Sequence, residues 1–175
     1  MVGSSSTKKK QDNYRVMLEM ASNPRTSPQM LSKLAKKISE DGDEWPILEA
    51  VAQNESTPPE SLMKLAVGRL FNITESVALN PRTPPRVLER MADDDALVNC
   101  VVGNPSVPIA LLVKLGNNDQ PFVRASVARN ESAPQELLER LALDSESFVR
   151  SCAVDNPNTP VWAKAQALLL GVETA

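Results

Sequence analysis

In this 175-residue chain the side chains that could do chemistry are 19 Lys/Arg, 22 Asp/Glu and two cysteines; there is no histidine. Every mechanism built on an imidazole base or a histidine metal ligand is therefore absent. Two cysteines, Cys100 and Cys152, are too few for a four-thiolate zinc site, an iron–sulfur cluster or a disulfide framework. The sequence contains no Gly-rich phosphate loop, no G-x-S-x-G and no H-E-x-x-H. Carboxylates gather in two runs, Glu40, Asp41, Asp43 and Glu44 beside Trp45, and Asp93–Asp95. Neither meets the spacing of a calcium-binding EF-hand loop, and both read as solvated turns. No catalysis, no metal and no cofactor are expected.

The basic groups hold what chemistry remains. Lys33, Lys64, Arg90, Lys114 and Arg140 recur at similar intervals, with Gln166 ending the row. Five cations in line would suit a phosphodiester backbone or an acidic partner segment. Near the C-terminal end of a helix the same cations merely favour the helix dipole, and Glu89 and Glu139 dilute them. The charge is uneven: residues 1–37 carry eight Lys/Arg against two Asp/Glu, while the whole chain has a formal charge of −3. The opening MVGSSSTKKKQDN has lysines with no apolar stretch behind them, so it reads as a disordered basic tail, 1–13, and not as a secretory signal. No apolar run approaches the ~20 residues of a membrane span. A cytoplasmic protein with no membrane contact is the expectation.

The elements that must position these groups are set by a repeat. Asn23, Asn54, Asn80, Asn104, Asn130 and Asn156 open the segments NPRTSP, NESTPP, NPRTPP, NPSVPI, NESAPQ and NPNTPV, at intervals of 31, 26, 24, 26 and 26 residues. A period in the twenties marks a solenoid. Seven before each Asn is an aliphatic (Val16, Ile47, Ile73, Leu97, Val123, Val149), and eight and eleven after are Leu or Met, until Lys164 and Ala167 in the sixth unit. Apolar positions four apart before the Asn, as in Val123 and Val127, lie on one helical face, and Leu137, Leu138, Leu141 and Ala142 make a second stripe. Each unit is thus a short helix, a tight turn and a longer helix.

Proline explains the turn, and twelve of the 14 prolines lie in these segments. The proline after Asn23, Asn80, Asn104 and Asn156 disfavours an α conformation at the Asn and ends the first helix. Thr57 fits the N-cap of the next helix, with Pro58 at its first position and Glu60 completing a capping box; Thr26 and Gln29 repeat the scheme. Val107 and Ala133 lack the hydroxyl, so their helices should start less firmly by ~1 kcal/mol. The repeated Asn predicts a ladder of amides bonding nearby backbone, each turn to itself or to the next; the functional alternative is a row of amides reading a ligand.

The strings VRASVARNESAPQELLERLALD (123–144) and VALNPRTPPRVLERMADD (77–94) resemble the leucine-rich repeat variant family, over roughly residues 15–168. The resemblance implies an all-α, right-handed superhelix in which α and 3₁₀ helices alternate. A cysteine-rich iron–sulfur module known in that family has no counterpart here, since the N-terminal segment lacks cysteine. Cys100 and Cys152 share one repeat position two units apart, roughly 20 Å at ~10 Å per layer, and read as small core residues.

The fold class expected is an all-α, right-handed α-solenoid of six helix–turn–helix units of roughly 24–26 residues, as one repeat domain over 14–175. Its expected function is that of a non-catalytic scaffold binding a protein or peptide. The alternative is a nucleic-acid-binding solenoid that uses the basic row and Lys8–Lys10, though 3% aromatic residues leave few stacking platforms for bases. A second candidate surface is the short-helix face, five and six before the Asn: Thr74, Glu75, Asn99, Arg124 and Arg150. The five-residue insertion around KKISEDGDEWP (36–46) places Trp45 to cap the first repeat interface.

Overall fold

A computed structural model describes residues 3–37, 44–68 and 70–171, with only the backbone of residues 3–7. These residues form twelve α-helices and no strand. The helices before each Asn are α1 (Gly3–Ser22), α3 (Trp45–Gln53), α5 (Phe71–Leu79), α7 (Val98–Gly103), α9 (Pro121–Arg129) and α11 (Ser147–Asp155). Those after it are α2 (Pro28–Lys37), α4 (Pro59–Leu65), α6 (Pro85–Met91), α8 (Ile109–Leu115), α10 (Gln135–Leu141) and α12 (Val161–Leu169). The acidic residues Glu40, Asp41 and Asp43 lie outside the described residues; Glu44 precedes α3, and Trp45 opens it half-buried.

The chain gathers into two compact units, Met1–Leu88 and Glu89–Ala175. In the first, α1 packs on α3, α3 on α5, and α2 on α4. In the second, α7 packs on α9, α9 on α11, and α10 and α12 lie against α11. This layer-on-layer packing of consecutive repeats is the α-solenoid arrangement. The aliphatic stripes fill the spaces between layers: Leu31, Ile47, Val51, Leu62, Ile73 and Val77 in the first unit, and Val101, Leu112, Val123, Val127, Leu138 and Val149 in the second, are at most 2% exposed. Each such side chain contributes about 1.5–3 kcal/mol of burial. Stability is summed from neighbouring layers, without one central core.

The residue eleven before Asn23 and those ahead of it belong to a helix: α1 runs from Gly3, through most of the stretch expected to be a tail, with Lys8–Asn13 exposed. Lys and Gln are good helix formers, and the segment continues the register of a helix anchored at Ala21. The 3₁₀ helices implied by the family resemblance are not present as separate elements among the described residues. The tighter geometry survives at the helix ends, where Asn80, Asn104 and Asn130 each donate their N–H to the carbonyl three residues back.

The start of the second helix corrects the expected capping box. The N-cap of α4 is Pro58, extended at φ −63° and ψ 145°, and no side chain caps it. Pro108, Pro134 and Pro160 cap α8, α10 and α12 in the same way. Proline has no N–H to satisfy, and its fixed φ suits this extended position, so Pro59 rather than Pro58 is the first helical residue of α4. Thr57, one residue too early to cap, turns back: its hydroxyl donates to the Val51 carbonyl at 2.5 Å. Thr26, Thr83 and Thr159 make the same bond to Met20, Val77 and Ala153 at 2.5–2.6 Å. Threonine therefore seals the end of the helix before the turn, not the start of the one after it.

Candidate functional site

The turns are built by the anchoring asparagines. Asn54, Asn80, Asn104, Asn130 and Asn156 are the C-caps of their helices, with φ near −70° and ψ of 118–128°. Each Oδ1 accepts the N–H two residues on, at 2.6–2.9 Å, from Ser56, Arg82, Ser106, Ser132 and Asn158; Asn23 does the same for Arg25. The amide then reaches into the preceding repeat. Asn54 Nδ2 donates to the carbonyls of Ala21 and Asn23 at 2.8 and 2.9 Å. Asn80 Nδ2 reaches Ala52 and Asn54, and Asn156 Nδ2 reaches Ala128 and Asn130. Asn130 Nδ2 reaches Val102. In these four the donor lies in the later layer and the acceptors in the earlier one. Asn54, Asn80, Asn104 and Asn156 are buried, Asn130 is half-buried and Asn23 is exposed.

Beside this ladder the odd-numbered helices leave shallow grooves where consecutive layers meet. In the first unit, one of about 400 Å³ is lined by Ser22, Pro24, Ala50, Gln53 and Glu55, and one of about 230 Å³ by Glu49, Gln53, Glu55, Glu75 and Leu79. In the second unit, one of about 400 Å³ is lined by Gly103, Pro105, Ser126, Arg129 and Glu131. The position just before the Asn recurs in all three: Ser22, Gln53, Leu79, Gly103 and Arg129 are exposed and chemically unrelated. Sequence reading passed over this position; its signal was the absence of any type constraint next to the most constrained residue of the unit.

The short-helix candidates divide. Arg124 does not face outward. Its Nε and Nη2 donate to the Asp144 carboxylate at 2.7 and 2.8 Å, and Nη1 to the carbonyls of Asn118 and Asp119. The two side chains are 14% and 9% exposed. Burial pushes the Asp144 carboxyl up, but Arg124, the Glu146 N–H and Ser145 outweigh it and hold it below its usual range. Arg150 repeats the grip on Asp144 and Ser145 carbonyls, and its Nη2 donates to the Leu170 carbonyl, while its buried Nε has no partner. Both arginines therefore brace the loop ahead of their own helix. Thr74 donates back to the Phe71 carbonyl, Asn99 accepts from Ser126 at 2.8 Å, and Glu75 lines the smaller groove of the first unit.

The basic row is exposed throughout: Lys33 and Lys64 in the first unit, and Arg90, Lys114 and Arg140 in the second. Lys64, Arg90, Lys114 and Arg140 stand in the last turn of their helices, where the dipole favours them. Lys114 Nζ also lies 3.6 Å from Asp93. The acidic run Asp93–Asp95 is similarly engaged, since Asp94 accepts the Ala96 N–H and Asp95 accepts from Gln120. No group of three or more metal-ligating side chains occurs among the described residues. Cys152 is buried, and burial pushes its thiol up, away from the reactive range. An unanticipated feature is an aromatic pair: Phe122 and Phe148 occupy one repeat position, with ring centroids 5.2 Å apart, and Phe122 is 72% exposed.

The turn, its asparagine and the paired helices define a helix–turn–helix repeat, with no strand among the described residues. The family model of the leucine rich repeat variant matches residues 121–146, which span α9, the Asn130 turn and α10, one unit complete. No curated protein and no solved structure matches the chain. Among the described residues no helix is long and apolar enough to cross a membrane.

Proposed function

We propose that the protein is a non-catalytic scaffold that binds a protein or peptide along the grooves of its odd-numbered helices. The observation that supports this reading is the recurrence of one shallow groove, floored by the same asparagine turn and walled by side chains that change from layer to layer. Exposed apolar groups near these helices, Leu79, Phe71 and the Phe122–Phe148 pair, favour a protein partner over a polyanion. The first unit's grooves carry Glu49, Glu55 and Glu75, which oppose a phosphate backbone on that face.

The test is affinity capture from the native host with three proteins in parallel: wild type, a groove variant (Gln53→Arg with Arg129→Glu) and a basic-row variant (Lys64→Glu with Lys114→Glu). A protein lost by the groove variant and kept by the row variant is the expected result. Recovery of nucleic acid alone, abolished in the row variant and by added salt, would sink the proposal in favour of the basic row.

A further inference from the structure

We infer that the open face of α3 and α5 in the first unit takes an extended basic peptide, each arginine set against one aromatic ring and one carboxylate. This deepens, and rests on, the reading of the odd-numbered helices as a binding face. Of the chain's six aromatic residues, five stand eight or nine before an anchoring asparagine. In the first unit Tyr14, Trp45 and Phe71 all stand nine before it. Positions nine, five and one before the Asn are four apart and share one side of a helix. On α3 they are Trp45, Glu49 and Gln53, and on α5 Phe71, Glu75 and Leu79. None of these six is buried: Gln53, Phe71 and Leu79 are exposed, and Trp45, Glu49 and Glu75 are half-buried. An aromatic ring thus stands one turn from a carboxylate on each of two helices that pack together.

The chemistry that fits this pairing is a guanidinium. A cation is drawn both to the face of a ring and to a carboxylate, and arginine offers a flat surface for the first and a fork of donors for the second. Glu49, Glu55 and Glu75 line the groove of about 230 Å³ between the two helices, and among the described residues no lysine or arginine lines it. Glu49 and Glu55 have no ion-pair partner among the described residues. The second unit lacks the pairing. Its residues nine and five before the Asn are Asp95 and Asn99, Pro121 and Ala125, and Ser147 and Ser151, and its groove carries Arg129. Spacing narrows the ligand further. Packed helices lie ~8–10 Å apart, and a polyproline II segment returns a side chain to the same side every third residue, ~9 Å on. Arginine at every third residue therefore places one guanidinium on each layer.

Fluorescence anisotropy on the full chain, with a labelled peptide of three Arg-Pro-Pro units, tests this; thermal melts of every variant are the folding control. Wild type is expected to bind, and binding should fall steeply as salt rises from about 0.05 to about 0.5 M. Glu49→Gln with Glu75→Gln should weaken it about tenfold and Phe71→Ala about threefold. Glu136→Gln with Glu139→Gln, the same change of charge on α10, should leave it unchanged. In Trp162→Phe the remaining tryptophan is Trp45, whose emission should shift on binding. Four outcomes overturn the inference: no binding of the arginine peptide, equal binding of a peptide with glutamate in place of arginine, equal loss in the two charge variants, or equal binding of a peptide whose three arginines are adjacent. A host protein lost by Gln53→Arg with Arg129→Glu, yet kept by Glu49→Gln with Glu75→Gln, also overturns the basic ligand while the scaffold reading stands.

Discussion

One asparagine amide in this fold serves two layers at once, its oxygen shaping its own turn and its nitrogen gripping the turn before. Replacing Asn54 by alanine removes three hydrogen bonds and strands the Ala21 carbonyl in a buried setting, a loss of about 2–4 kcal/mol. Asn54→Asp keeps the turn acceptor but aims a second oxygen at two carbonyls, so it should destabilise at least as much as alanine. Urea denaturation of the two variants checks this order, and an aspartate variant as stable as wild type would refute it. The Arg124–Asp144 pair gives a pH signature. The Asp144 carboxyl is held below its ordinary value, so its contribution is complete above about pH 4 and disappears as pH falls through the lowered folded value. Asp144→Asn should therefore be less stable than wild type near neutrality, by about 2 kcal/mol, and the gap should narrow in acid. Denaturation midpoints of both proteins across that range would show it.

At the level of the element, four of the odd-numbered helices, α1, α3, α5 and α11, are closed by a threonine hydroxyl six residues beyond the carbonyl it caps. Two units lack that hydroxyl. Val107→Thr and Ala133→Thr should supply it to the Val101 and Val127 carbonyls and stabilise by about 0.5–1 kcal/mol each, while Thr57→Val should cost about 1–2 kcal/mol. Thermal melts of the three variants decide it; Val107→Thr below wild type would show that the clasp needs more than the hydroxyl. These threonines also show how far the sequence could be read. The helix–turn–helix units follow from the aliphatic spacing and the prolines, because periodicity and a fixed φ act locally. Where the Thr57 hydroxyl goes is settled by a one-residue shift of the helix start, which two adjacent prolines leave open. The inward turn of Arg124 was hidden for a related reason: its partner, Asp144, lies 20 residues on, in a loop with no repeat signature. The groove position before each Asn was hidden by its own variability.

Across the whole molecule, stability is distributed by layer. Helices packed between two others, such as α3 in the first unit and α9 in the second, are held on both sides. The end layers are held on one, and Val16 and Leu168 remain partly in solvent. Hydrogen exchange should follow that order: the amides of α3 and α9 exchange slowest in their own units, and those of α1 and α12 fastest. Uniform protection along either unit would argue for a single cooperative block instead.

The direction of the amide ladder has a consequence for how the protein is made. Asn54, Asn80, Asn130 and Asn156 each bond carbonyls 26 to 33 residues earlier in the chain, and none reaches forward. On a ribosome, every new turn emerges to find its acceptors already synthesised. Assembly within each unit can keep pace with translation, N-terminal layer first, with no turn waiting for sequence still to come.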